Sequence, residues 1–277
     1  MSIPSYVALA VSFVAAYLSL SGYLSHTNST RRMPNYHEVS PNYLTLDPST
    51  PESKAIAAAF KWYTPRFSPK DVPRFYDVSS ITEHPEVFKL VIKVLADRYR
   101  ALPDDKKPTH ILGFDARGFL LGAPLALELG ISFVLLRKAE KSPGVLVKSD
   151  PYSKEYAEVA PDTMAIRHGS IGRGDRIVLV DDLIATGGTA ISGFQLCESL
   201  GATVIEFTAM IGIPILDGVR KIHEYANGHF KNVPVFTLIH DSEVGDANCG
   251  DPKDWPADKS RIISANDPAA AGAPAKM

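Results

Sequence analysis

RIVLVDDLIATGGTA, residues 176–190, decides how this chain folds. Ile177, Val178, Leu179 and Val180 form an unbroken apolar run rich in β-branched residues. That is the pattern of a strand covered on both faces in a parallel sheet. Asp181 and Asp182 follow at its carboxyl end, where ligands bind in open α/β sheets. Ala185, Thr186, Gly187, Gly188 and Thr189 then supply two glycines and two hydroxyls ahead of a helical pattern. Ile191, Phe194 and Cys197 recur on one face of that helix, and Gly201 stops it. Free backbone amides at such a helix start, with the macrodipole behind them, suit a monophosphate.

The residue types narrow the ligand. A phosphate loop beside two outward-pointing carboxylates fits a phosphorylated sugar with vicinal hydroxyls, because carboxylates accept from two hydroxyls at once. A nucleoside triphosphate would call for a lysine, and the GxxxxGK[ST] pattern is absent. Two adjacent aspartates alone would read as a solvated acidic turn; the whole string carries the inference.

The 277 residues suit one α/β domain with extensions, and 45% hydrophobic content is ample for a core. With 29 basic and 31 acidic residues the formal charge is −2, which gives no footprint for nucleic acid. Two cysteines, Cys197 and Cys249, make neither a disulfide framework nor a zinc site, and they fit a reducing compartment.

Residues 1–30 carry no Asp, Glu, Lys or Arg, and residues 3–24 are long enough to span a bilayer. Arg31 and Arg32 after that stretch would keep the remainder cytoplasmic. Two readings stand: a membrane anchor in residues 1–32, or a start at Met33 with the first 32 residues an upstream extension. Residues 33–51 read as irregular, and residues 52–63 as a short helix. Thr82 reads as the cap of an amphipathic helix over residues 85–102. Residues 109–114 read as a strand, 119–129 as a helix closed by Gly130, and 131–136 as a second strand, a βαβ spacing that argues for parallel neighbours. Residues 141–161 are polar and too long for an ordinary connection, as lids and binding loops are. A strand over 203–213, a helix over 215–227 and a strand over 235–239 follow. Residues 241–277 turn polar and end in a disordered tail. The last three, Ala275, Lys276 and Met277, are a weak variant of a peroxisomal address.

GFDARGF, residues 113–119, is a second strand-to-helix turn that presents Asp115, Ala116 and Arg117. Arg137, Lys138 and Lys141 add positive charge at the same sheet edge, and together they could bind a diphosphate. Each basic residue alone would read as solvated. Their convergence opposite the monophosphate loop describes a sugar phosphorylated at both ends.

VLVDDLIATGGTA is similar to the 5-phosphoribosyl 1-diphosphate (PRPP) motif of the type I phosphoribosyltransferases. GFDARGFLLGAPLALELGISFVLLRK and YSKEYAEVAPDTMAI extend the resemblance to adenine phosphoribosyltransferases. RFYDVSSIT, THILGFDARGF and NCGDPKDW look most like the kinetoplastid branch, and MPNYHEVSPNYL resembles the start of its members. The resemblance covers roughly residues 33–266. It implies a mostly parallel central sheet flanked by helices, with a hood segment, a flexible lid loop and a C-terminal extension. The domain plan is then an N-terminal extension (1–32), a catalytic domain (33–240) and a C-terminal extension (241–277).

Carried over residue by residue, the resemblance implies that Asp181 and Asp182 hold the ribose hydroxyls and Ala185, Thr186, Gly187, Gly188 and Thr189 the 5′-phosphate. Asp115, Ala116, Arg117, Arg137, Lys138 and Lys141 hold the diphosphate with Mg²⁺, which is bound mainly through PRPP. Arg74, Phe75 and Tyr76 recognise adenine, Phe75 by stacking. Tyr76 stands where many members have arginine, which favours a backbone role there. Glu155 and Tyr156 lie on the lid. A cis peptide between Asp115 and Ala116 is a further family feature.

The expected reaction is Mg²⁺-dependent transfer of phosphoribosyl from PRPP to adenine, giving AMP and diphosphate in purine salvage, by a cytoplasmic homodimer. Glycosomal or peroxisomal targeting and a membrane anchor are the alternatives for location. The alternatives for function are a phosphoribosyltransferase for another base, a non-catalytic PRPP-binding regulator, and a membrane-tethered scaffold resting on residues 3–24 alone.

Overall fold

Alternation along one strand explains both halves of the core. In the computed structural model, which describes residues 36–64, 74–149 and 163–251, Ile177 and Leu179 point into one apolar cluster. Val178 and Val180 point into the other, and all four are fully buried. Period-two geometry sends successive side chains to opposite faces. An unbroken apolar run is therefore what a strand between two helical layers requires.

The chain runs β1 (Tyr36–Ser40), β2 (Tyr43–Leu46), α1 (Pro51–Ala59), β3 (Lys61–Tyr63), β4 (Phe75–Asp77), α2 (Ser79–Thr82) and α3 (Pro85–Arg100). It continues with β5 (His110–Phe114), α4 (Arg117–Leu129), β6 (Ser132–Lys138), β7 (Leu146–Lys148), β8 (Met164–Arg167) and β9 (Arg176–Ile184). α5 (Gly188–Ser199), β10 (Thr203–Gly212), α6 (Gly218–Gly228) and β11 (Val235–His240) complete it. One sheet has the order β1-β2-β11-β10-β9-β5-β6-β8-β7, and β3-β4 is a separate ribbon. The pairs β2–β11, β11–β10, β10–β9, β9–β5 and β5–β6 are parallel. The outer pairs β1–β2, β6–β8 and β7–β8 are antiparallel. α1, α3 and α4 cover the face of Val178 and Val180; α5 and α6 cover that of Ile177 and Leu179.

Several expectations need correction. Residues 36–46 are not irregular: β2 pairs in parallel with β11, from Val235↔Tyr43 to Thr237↔Thr45. The helix expected over 52–63 stops at Ala59 because Phe60 turns extended and is fully buried. Aromatic Trp62 and Tyr63 then pair across to Tyr76 and Phe75, as aromatic residues favour. Thr82 does not cap α3; its hydroxyl donates to the Ser79 carbonyl within α2, and His84 holds the cap position. β6 runs two residues past the expected end at Leu136, because β8 pairs with Arg137 and Lys138, which remain at its carboxyl end. α6 has non-helical backbone at Tyr225, Ala226 and Asn227, so its regular part ends before the expected boundary. The polar residues 241–251 pack on the body: Val244 is buried and the Gly250 amide donates to the Trp62 carbonyl.

Candidate functional site

β9 runs through both aspartates to Ile184, because β10 keeps pairing with it: Ala209 faces Asp181 and Gly212 faces Ile184. The expectation of a strand ending at two outward carboxylates is thereby corrected. Period two sends neighbours to opposite faces. Asp182 lies on the α4 face, only 2% exposed, and Asp181 is half-buried on the other. Arg117 Nε, in the first turn of α4, stands 2.8 Å from Asp182 Oδ2. This ion pair lacks the alignment of a hydrogen bond, so that oxygen is buried without a directed partner. The Asp182 amide donates to Asp181 Oδ1 at 2.9 Å. Burial, then the charge of Asp182, push the Asp181 carboxyl well above the usual carboxylate range. Burial also raises Asp182, against the opposing pull of Arg117.

Two glycines fix the loops on either side. Gly187 has φ +82° at the N-cap of α5, a left-handed conformation, and a Cβ there would lie 2.6 Å from the Gly218 carbonyl oxygen. No side chain caps α5, which leaves its first amides to the loop of Ala185, Thr186, Gly187, Gly188 and Thr189. Gly118 lets α4 press on the end of β9; a Cβ there would overlap the Val180 carbonyl oxygen. Gly118→Ala is expected to lower unfolding free energy by about 1–2 kcal/mol, the lower part of the overpacking range. It should also lift Arg117 from Asp182. A urea midpoint and an activity both equal to wild type would show that this approach is not needed.

A cleft of about 230 Å³ at the carboxyl ends of the strands brings most of the expected residues together. Asp115, Arg117, Asp181, Asp182, Ala185, Thr186, Gly187 and Thr189 all line it, and Ala116 and Gly188 adjoin them in the chain. The Asp115–Ala116 peptide is cis. Arg137 Nε and Lys141 Nζ both approach Asp115 Oδ2, at 3.4 and 3.5 Å, so they border the cleft through that carboxylate. Lys138 closes β6, in register with Met164 of β8. Met164 and Phe207 form apolar lining that the sequence reading did not select. Their signal was weak, since an apolar residue within a strand reads as ordinary core.

Arg74, Phe75 and Tyr76 stand apart from this cleft, on or beside β4. Tyr76 is buried, with its hydroxyl 3.5 Å from the Asp241 carbonyl, and Phe75 is half-buried opposite Tyr63. The Arg74 side chain is turned to Val244 and Asp246. Glu155 and Tyr156 lie outside the described residues.

The donor set suits Mg²⁺, which takes oxygen ligands from one or two carboxylates together with substrate phosphates. Asp181 and Asp182 line the cleft together. Since no three or more such side chains among the described residues are grouped to hold a metal by themselves, the ion would take its remaining ligands from the substrate phosphates. Chemically, the cleft offers amides and hydroxyls for a phosphate, carboxylates for hydroxyls, and cations for a second anionic group.

Residues 77–245, more than half of the chain, match the profile of the phosphoribosyl transferase domain. The adenine phosphoribosyltransferase of Methylibium petroleiphilum is 40% identical over 166 residues, 60% of this chain and 78% of that protein. The structure of adenine phosphoribosyltransferase from Leishmania donovani aligns with TM-score 0.79 and 49% identity, covering 86% of this chain and 100% of that one. That from Trypanosoma brucei, in complex with AMP, pyrophosphate and ribose-5-phosphate, aligns with TM-score 0.78 and 46% identity over 87% of this chain and 98% of its own.

Proposed function

Because this chain belongs to the adenine phosphoribosyltransferases, with their type I phosphoribosyltransferase fold, we propose that it transfers 5-phosphoribosyl from PRPP to adenine, giving AMP and diphosphate in purine salvage. The observation that carries this reading is the single cleft holding the 185–189 loop, both aspartates and Arg117.

In this reading the 5′-phosphate sits on the amides and hydroxyls of residues 185–189 at the start of α5. Asp181 and Asp182 accept from the ribose hydroxyls. Arg117, Arg137, Lys138 and Lys141 hold the diphosphate, with Asp115 and Ala116 shaping the turn beneath it. The Asp115 carboxylate anchors Arg137 and Lys141 and would itself repel a phosphate. Mg²⁺ bound with PRPP near Asp181 and Asp182 would supply positive charge for the departing diphosphate. The C1–O bond breaks as the basic side chains stabilise the leaving anion. The C1–N9 bond forms as adenine, stacked on Phe75 and read by backbone atoms of Arg74 and Tyr76, whose side chains are turned to residues 241–246, approaches from the opposite face. The N9 proton passes to Glu155, with Tyr156 beside it in sequence. Glu155→Gln should lower kcat at least roughly tenfold, as loss of a general base does, and leave PRPP affinity near wild type. Single-turnover rates and a PRPP titration on that variant separate the two effects.

The kinetoplastid branch is favoured by the share of this chain that the Leishmania and Trypanosoma structures cover, 86% and 87% at 49% and 46% identity, against 68% at 32% identity for the bacterial structure from Thermoanaerobacter pseudethanolicus. A homodimer is what the family resemblance implies, and light scattering measures it. Among the described residues no helix is long and apolar enough to cross a membrane. Residues 3–24 and 275–277, on which anchoring and glycosomal targeting rest, lie outside them. Cytosolic placement is the reading adopted, and cell fractionation tests it.

The reaction itself is tested by chromatography of adenine and PRPP incubated with the protein, with and without Mg²⁺. AMP and diphosphate in equal amounts, only with the metal, are expected. PRPP hydrolysis without AMP would overturn the proposal.

A further inference from the structure

The ribbon that carries the proposed base segment is tied down by residues 241–251, which follow β11. Arg74 Nη1 donates to the Val244 carbonyl at 2.7 Å, its guanidinium pairs with Asp246, and it lies 4.5 Å over the Trp62 ring. The Trp62 indole donates to the Gly245 carbonyl at 3.1 Å. The Gly250 amide donates to the Trp62 carbonyl at 2.8 Å, and the Thr64 amide to Asp251 Oδ2 at 2.9 Å. Every one of these contacts lands on β3, β4 or a residue flanking them.

Asn248 makes the tie that reaches furthest back. Its side-chain amide lies 3.0, 3.1 and 2.7 Å from the carbonyl oxygens of Ala57, Ala58 and Phe60. These are the last carbonyls of α1 and its cap, which a helix end leaves without intrahelical donors. No basic residue stands in the last turn of α1 to serve them. Phe60 leads directly into β3, and β3 is paired to β4 by Trp62↔Tyr76 and Tyr63↔Phe75. Holding the end of α1 therefore sets the start of β3, and through the pairing it sets the place of Phe75. Neither Asn248 nor any of the three carbonyl residues lines the cleft with the phosphate loop.

We propose that Asn248 is a positioning residue for the base: by capping α1 it fixes the β3–β4 ribbon, and so governs adenine affinity independently of PRPP affinity. The proposal rests on the assignment of Arg74, Phe75 and Tyr76 to adenine. The residue type fits the task. An amide offers two N–H donors without charge, whereas a carboxylate of the same size would face three carbonyl oxygens.

The test is steady-state kinetics of Asn248→Ala and Asn248→Asp, with Phe75→Ala measured alongside. Asn248→Ala should raise KM for adenine roughly tenfold, the effect of about one lost hydrogen bond to a carbonyl cluster, and Asn248→Asp should raise it further. KM for PRPP, and kcat at saturating adenine, should stay near wild type, a split that general loosening of the fold would not give. Should the alanine variant not fold, Asn248→Ser, which keeps one donor, carries the same test with a smaller rise. Equal rises in both KM values would overturn the proposal. So would an unchanged adenine KM where Phe75→Ala raises it, and that result leaves the base assignment standing. An adenine KM unchanged in Phe75→Ala as well would refute the base assignment and the proposal with it.

Discussion

Asp182→Asn lowers kcat/KM by roughly tenfold to 150-fold, about 1.5–3 kcal/mol of lost charge-assisted hydrogen bonding, and leaves the folded protein no less stable. The substitution keeps size and shape, so the core around a side chain that is 2% exposed is not disturbed. What it removes is one of two crowded negative charges. Burial pushes both carboxyls upward, and Asp182's charge pushes Asp181 further. A carboxyl raised above its unfolded value holds its proton more readily in the folded state. Stability is therefore lost as pH rises from the ordinary carboxylate range through the raised value. At neutral pH the crowded pair costs stability, and neutralising Asp182 relieves it. Arg117 is left without its ion pair, but its side chain is 48% exposed and water can solvate it. Initial rates with PRPP varied, and thermal melts at pH 7 and pH 5, check both halves. The advantage of the variant in melting should shrink at the lower pH. Wild-type kinetics would remove Asp182 from the diol site.

Glu206→Ala should unfold with about 3–5 kcal/mol less free energy, the cost of breaking a buried pair by removing one partner. Glu206 sits on β10, with a side chain 7% exposed, and pairs with Arg98 of α3, 12% exposed. Arg98 Nε donates to Glu206 Oε1 at 2.8 Å, and the fully buried Tyr99 hydroxyl donates to the same oxygen at 2.8 Å. The guanidinium also lies 4.7 Å over Tyr36 and 4.2 Å over Phe236. One carboxylate thus joins α3 to β10, and its partner reaches β1 and β11. Without it a buried cation and a buried hydroxyl lose their acceptor. The triple variant Arg98→Met, Tyr99→Phe and Glu206→Leu should recover most of the loss, because it leaves no buried polar group behind and an apolar replacement of a buried pair or triad is often neutral or better. By contrast Arg220 and Glu224 are both more than half exposed, and water and salt screen that pair, so breaking it should leave the urea midpoint near the wild-type value. Urea midpoints of the wild type and the three variants decide it. A Glu206→Ala midpoint at the wild-type value would mean the network does not hold α3 on the sheet.

The central strands and the cleft were legible because their signals are local. Four apolar residues, two aspartates and a glycine-rich turn in fifteen positions specify the strand and the loop before the next helix at once, though not where the strand ends. Arg117 was legible for the same reason, as a cation in a strand-to-helix turn. The burial of Asp182 was not, because it depends on β10 continuing alongside β9, a long-range pairing that no local pattern reports. β1 and β2 were missed because β2 gains its partner from β11, almost two hundred residues away in the chain. The break after Ala59 was missed because the pattern of residues 52–63 suits a helix; pairing of β3 with β4 overrides it. Residues 241–251 look polar and unstructured by composition, yet the Asn248 side chain ends on the last carbonyls of α1 and the Gly250 amide on the Trp62 carbonyl of β3.

The most direct test of the account is a competition among bases. Adenine, hypoxanthine and guanine are supplied at equal concentration with limiting PRPP and Mg²⁺, and the nucleotides formed are separated and counted. AMP should account for nearly all product, with diphosphate released in equal amount. IMP or GMP formed at a rate comparable to AMP would contradict the assignment of this site to adenine.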